Sequence, residues 1–357
     1  MSKLHRFLRA VRMPTVLLAA VALLSGCDLV VLRPSGDIAG RQGDLIVVAT
    51  LLMLIVIVPV IALTLWFAWR YRASNRSATY APDWDHSTQL ELVIWGVPLL
   101  IIIALGAVTW ISTHLLDPYR PLDRIAAGKP VPAHVEPLEI QVVALDWKWL
   151  FIYPEQGVAT VNEVAVPVDR PVHFRITASS VMNTFYVPAL AGMIYGMPGM
   201  ESKLNAVINA PGEYEGFSAN YSGAGFSHMR FRFHGLSEPG FERWLAQARA
   251  ADGALTRAAY LELEKPSKRD PVRRFGRVDD KLFDAILNRC VDTERLCMNQ
   301  MMALDAAGGL GLDGLGALAT PRRGDPRLGA YVSAAVCTPE TAQRAALSSV
   351  LGGLKAP

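Results

Sequence analysis

The chain has 357 residues, enough for two or three folding units at about 150 residues each, and its 35 basic and 32 acidic side chains leave a formal charge of only +3. So small an excess gives no case for nucleic acid as a partner, while a hydrophobic share of 52% against 19% charged residues points to a chain partly in lipid. Four cysteines, at 27, 290, 297 and 337, are too few and too scattered for a disulfide scaffold or a zinc site.

Residues 1–26 read as a secretory signal: Lys3, Arg6, Arg9 and Arg12 precede the uncharged run Val16 to Leu24, which ends in Leu24-Ser25-Gly26-Cys27. A cysteine directly after the small residues resembles the lipobox of bacterial lipoproteins. That implies cleavage before Cys27, acylation of its thiol, and a lipid-anchored segment over 27–44. An apolar core of nine residues is too short to span a bilayer about 30 Å thick. Two longer runs are not: 45–68 would give about 36 Å of helix and 92–112 about 32 Å. Both read as membrane-spanning, with Pro59 and Pro98 inside them and Trp66, Trp69 and Trp110 placed for interfacial belts. An exported Cys27 would make the first helix run inward, with Arg70, Arg72 and Arg76 on the cytoplasmic side and everything after about residue 113 outside.

Residues 113–136, rich in proline and charge, read as a linker. Over 137–235, Leu138, Ile140, Val142 and Ala144 alternate with Glu139, Gln141 and, less cleanly, Val143 and Leu145. Val172, Phe174 and Ile176 alternate with His173, Arg175 and Thr177, and Met229, Phe231 and Phe233 with Arg230, Arg232 and His234. This period predicts an antiparallel β-sandwich of short strands, compatible with a cupredoxin-like Greek key. In it, Trp147, Trp149, Phe151 and Tyr153 read as core plus one exposed tryptophan. Residues 236–300 predict a helical C-terminal arm through Phe241, Trp244, Leu245 and Ala248, then Leu255, Tyr260 and Leu261, and on through Phe283, Ile286 and Leu287. The Gly/Ala-rich stretch 301–357 reads as a flexible tail. If a disulfide forms, Cys290 with Cys297 is the expected pair and Cys337 is left free.

Two segments carry the chemistry, SVMNTFYVP (Ser180–Pro188) and NYSGAGFSHMRF (Asn220–Phe231). Together they resemble the copper-binding half of the haem-copper oxidase subunit II family, whose loop C-x-E-x-C-G-x-x-H-x-x-M holds a dinuclear copper between two thiolates. Aligned on Met229, this chain has Ser218 and Ser222 at the bridging cysteines, Asn220 at the glutamate, Phe226 at the second histidine and Asn183 at the first. Only Met229 and Gly223 keep their identities. Hydroxyls and amides are poor copper ligands, and one thioether cannot hold the ion. The loop is therefore expected to be metal-free, with the Phe226 side chain filling the space of the missing ions. Such a pattern is similar to the quinol-oxidising, cytochrome bo-type branch, as are the words FAWRYRASN and DWKWLFIYPEQGVATVNE (Asp146–Glu163).

The resemblance covers roughly residues 20 to 290. It implies an inner-membrane lipoprotein subunit of a proton-pumping ubiquinol oxidase that reduces dioxygen to water. This chain would have no catalytic or cofactor-binding residue of its own. The haems, copper and main quinol site would belong to subunit I, and subunits I, III and IV would be partners. Two other readings stay open: a copper-containing cytochrome c oxidase subunit, which would need two bridging thiolates inside the sandwich, and a membrane-tethered binding lipoprotein unrelated to respiration.

Overall fold

The computed structural model of the chain describes residues 29–79 and 81–306. The expected signal over 1–26, Cys27, Cys337 and the rest of the expected tail beyond 306 lie outside the described residues. After a short turn at Val30–Leu32, helix α1 runs from Asp37 to Arg70 and helix α2 from Thr88 to Leu115, packed against each other. Both are long and apolar enough to cross a membrane. Asp37 lies in the first turn of α1 and Arg70 in its last, each at the end of the helix dipole that favours its charge.

Helix α1 starts well ahead of the uncharged run at Leu45. Its first turn rests on the sandwich, which buries Ile38 and Ala39, while Gly43 is buried against the turn at Val31 and Leu32. The Arg124 guanidinium donates to both Asp37 oxygens, at 2.9 and 3.0 Å. Arg124 belongs to a small hairpin, β1 (Arg124–Ala126) and β2 (Lys129–Pro130), so the proline-rich connector is ordered against the domain.

The sandwich has strands β3 (Leu138–Leu145), β4 (Lys148–Tyr153), β5 (Val158–Val161), β6 (Glu163–Pro167), β7 (Val172–Ala178), β8 (Asn183–Tyr186), β9 (Ile194–Gly196), β10 (Ser202–Ala206), β11 (Gly212–Ser218) and β12 (Arg230–Leu236). One sheet runs β10-β7-β3-β4-β5 and the other β6-β12-β11-β8-β9. The sheets are mixed, not wholly antiparallel, because β3 pairs parallel with β7 and β6 parallel with β12. Side-chain period reports which face is buried and is blind to strand direction. Trp149, Phe151, Phe174, Phe185, Phe231 and Phe233 fill the space between the sheets. Phe185 and Phe231 stack at 5.4 Å, and Trp149 meets both edge-on at 5.6 Å. Each such burial contributes about 1.5–3 kcal/mol.

The arm is only partly helical. Helix α3 (Glu238–Arg249) buries Phe241, Trp244, Leu245 and Ala248, with Trp244 5.4 Å from Tyr153. Then come β13 (Ala254–Leu255), α4 (Arg257–Glu264), β14 (Arg273–Phe275), β15 (Arg277–Val278), α5 (Leu282–Leu287) and α6 (Met298–Ala306). Strand β14 joins the first sheet beside β5, and β13 pairs with β15. On α4 the buried face is Tyr260 and Leu263, while Leu261 is exposed, and Leu255 is buried from a strand. The arm covers the outer face of β3–β5, where Val143, Leu145, Leu150 and Ile152 meet Leu255, Tyr260, Phe283 and Ile286. Cys290 and Cys297 form a disulfide after α5. Helix α6 occupies the start of the stretch expected to be a flexible tail.

Candidate functional site

The two segments expected to form an emptied copper loop meet at one end of the second sheet. Asn183 opens β8 and Ser218 closes β11, and the two strands are neighbours, so their side chains meet. Both are buried, at 1% and 3% exposure. The Ser218 hydroxyl lies 3.1 Å from Asn183 Oδ1, with the Asn220 carbonyl as a further acceptor at 3.2 Å. Asn183 Nδ2 donates to the Val181 carbonyl, and Asn220 Nδ2 to that of Met182, each at 3.2 Å. Met229 is 1% exposed in the core, and its carbonyl accepts from Ser218 N at 3.2 Å. The predicted positions Asn183, Ser218, Asn220 and Met229 are thus brought together.

Phe226 is placed differently from the expectation. It starts a single 3-10 turn (Phe226–His228), is only partly buried, and lies edge-on to the exposed Tyr221 at 5.7 Å. Its ring packs on Tyr221, while Ser218 and Asn183 are bonded to each other directly.

One tryptophan of the cluster was expected to be exposed, and neither is: Trp149 is buried and Trp147 is half-buried against the core. Trp147 is the more telling of the two. It occupies the tight β3–β4 turn at φ 68°, and its Nε1–H donates to the Ser222 carbonyl at 3.0 Å. Its ring lies on Gly223 and Gly225, and a Cβ added at Gly225 would stand 2.3 Å from it. Gly225 is therefore required by close approach, and Gly223 by its φ of 110°. Trp149, Phe151 and Tyr153 are fully buried.

For copper the donors do not fit. At the aligned positions two hydroxyls, two amides and an aromatic ring stand in place of thiolates, a carboxylate and imidazoles, and the buried Ser218 hydroxyl is bonded to Asn183. Among the described residues no group of three or more His, Cys, Asp or Glu could hold a metal.

Two polar clusters that sequence reasoning missed tie the arm to the sandwich. Buried Lys148 donates from Nζ to the Lys265 carbonyl at 2.9 Å and to Ser267 Oγ, with Asp270 Oδ2 at 3.5 Å. Burial pushes the Lys148 pKa down, although Asp270 opposes this. A lysine inside the apolar run of β4 was the available signal. At the other cluster, the Arg274 guanidinium grips both Glu163 oxygens, at 2.9 and 3.1 Å, and His234 Nε2 stands 3.2 Å from Oε1. Burial alone would raise the Glu163 carboxyl, but His234 and Arg274 outweigh it and hold it at about 2.

Comparison with known proteins places these elements. The model of the cytochrome c oxidase subunit II periplasmic domain matches residues 139–234, and that of the COX aromatic rich motif matches residues 249–294. The chain is 53% identical over 272 residues to cytochrome bo(3) ubiquinol oxidase subunit 2 of Pseudomonas aeruginosa, covering 76% of this chain and 80% of the relative. It is 50% identical to the protein of that name from Pseudomonas putida, covering 75% and 82%. It is 47% identical to ubiquinol oxidase subunit 2 of Acetobacter aceti, covering 76% and 85%. With two membrane-length helices, a mixed sandwich and an arm in this order, the chain belongs to the ubiquinol oxidase subunit 2 family.

Proposed function

We propose that the chain serves as subunit II of a proton-pumping cytochrome bo-type ubiquinol oxidase, which oxidises quinol and reduces dioxygen to water. It would anchor and dock the complex without catalytic residues or a copper centre of its own. The observation that carries this reading is the copper loop: its ligand positions are hydrogen-bonded to one another through Asn183, Ser218 and Asn220, with no thiolate among them. Quinol is lipid-soluble and can reach a membrane subunit from the bilayer, so a copper relay from a soluble electron carrier is unnecessary. The haems and the remaining copper would then lie in subunit I, with subunits III and IV completing the complex. In the same reading Cys27 is the acylated N-terminus, and the sandwich stands on the outer side of a bacterial inner membrane.

Purification of the tagged chain in mild detergent tests this. A haem protein should co-purify and give a reduced-minus-oxidised spectrum with b- or o-type bands. A preparation in which the chain is intact and folded but carries no haem protein would overturn the proposal.

A further inference from the structure

Between α4, the disulfide-closed loop and the end of β7 lies a pit of about 120 Å³. That is room for a group the size of sulfate or phosphate and too little for an organic cofactor. Its lining includes Ser179, 9% exposed, whose Oγ has no hydrogen-bond partner among the described residues. A buried hydroxyl gains about 1–3 kcal/mol from a partner, so an acceptor or donor placed in the pit beside Ser179 is favoured.

The other walls supply charge. Arg289, just before the disulfide-closed loop, and Arg295, inside it, line the pit, Arg289 in left-handed backbone at φ 57°. Arg295 has Asp292 at 3.6 Å, which leaves the Arg289 charge the less compensated of the two. Guanidinium groups suit oxyanions because their N–H donors match paired oxygens.

We propose that this pit binds one small oxyanion through the Arg289 and Arg295 guanidinia and the Ser179 hydroxyl. Two carboxylates, Glu264 and Asp292, also line it and must be accommodated; Asp292 is paired with Arg295, which leaves Glu264. Its carboxyl lies beside the Tyr260 hydroxyl at 3.4 Å, and it feels Arg289, Arg295 and, from the β3–β4 turn, Asp146. Burial already pushes this carboxyl up. An arriving anion pushes it further in the same direction, so binding takes up a proton and a neutral carboxyl can donate to the bound oxygen. A free phosphate and a lipid phosphate share this chemistry.

Sulfate is the probe, since its charge is constant near neutrality. Calorimetric titration of the full chain in detergent micelles should show saturable binding that tightens as pH falls. Arg289→Gln and Ser179→Ala should each weaken it about tenfold, the loss of one charge-assisted or buried hydrogen bond. Glu264→Gln should bind and lose the pH dependence, and the exposed Arg243→Gln on α3 should match the parent. Repeating the titration in phosphatidylglycerol nanodiscs separates the sources: heats that vanish assign the pit to a lipid phosphate, and heats that persist assign it to a free anion. No saturable binding by the parent in micelles, or equal binding by a folded Arg289→Gln/Arg295→Gln variant, overturns the proposal.

Discussion

Glu163 is where the arm and the sandwich meet electrostatically. A carboxyl held at about 2 against an ordinary 4.5 stabilises the fold by on the order of 3 kcal/mol. Because its folded value is depressed, that contribution is complete above 4.5 and is lost as pH falls toward 2. Glu163→Gln should therefore cost about 3 kcal/mol near neutrality, and denaturant melts of the two proteins should converge as pH falls from about 4.5. A gap that stays constant over that range would remove the ion pair from the account. Nothing in the sequence announced this pair, because Glu163 and Arg274 are 111 residues apart and join only when β14 lies on β5. Lys148 was more legible, since a charge inside an apolar strand demands a buried partner.

At the scale of single elements, the copper loop can be judged by restoring it. Asn183→His, Ser218→Cys, Asn220→Glu, Ser222→Cys and Phe226→His together return a full ligand set around Met229. The strands bring Asn183 and Ser218 into contact, and Ser222 Oγ has no hydrogen-bond partner among the described residues, so a thiol there breaks none of those described. Losing the Asn183–Ser218 bond should cost the metal-free variant about 1–3 kcal/mol, recovered when metal binds. Copper added to the full chain in detergent should give the purple thiolate-to-copper absorption, while the parent stays colourless. A folded variant that binds no copper would mean that the alignment on Met229 is wrong. Most of this sheet was legible, because Phe231, Phe233 and Met229 face the core at period two. Val143 and Leu145 disturbed the pattern because the arm buries their side of β3, so the imperfect alternation was itself the signal of a second covering layer. The parallel pairings were illegible, since alternation is the same for either direction.

For the whole molecule, the central question is how a membrane hairpin holds a domain in register when only a connector joins them. Hydropathy delimits what lies in lipid, and so the charge-bearing turns Asp37–Asp44 were read as a segment before the helix rather than its docked end. They are fixed by four backbone bonds at or just before the helix start as well as the Asp37–Arg124 pair: Ser35 N to Ala189 O at 3.1 Å, Gly36 N to Ala189 O at 2.8 Å, Ala39 N to Leu190 O at 3.4 Å, and Asn209 N to Ser35 O at 2.8 Å. The hydrogen bond that Arg124 donates to Asp37 is the main cause raising the Arg124 pKa, so the guanidinium stays charged. Asp37 is 9% exposed and Arg124 34%. Arg124→Gln leaves a buried carboxylate without its cation and should cost about 1–3 kcal/mol locally, less than a fully buried pair because water reaches the arginine. Gly36→Ala attacks the same joint sterically, since its Cβ would stand 2.6 Å from the Leu190 carbonyl oxygen and 2.8 Å from that of Val207, and backbone atoms cannot swing aside. Hydrogen exchange should then speed up at Gly36, Ala39 and Asn209 in both variants while the central strands β3 and β7 keep their protection. If β3 and β7 lose protection equally, the helix end is part of the sandwich's own cooperative unit, and the hairpin and domain do not separate at this joint.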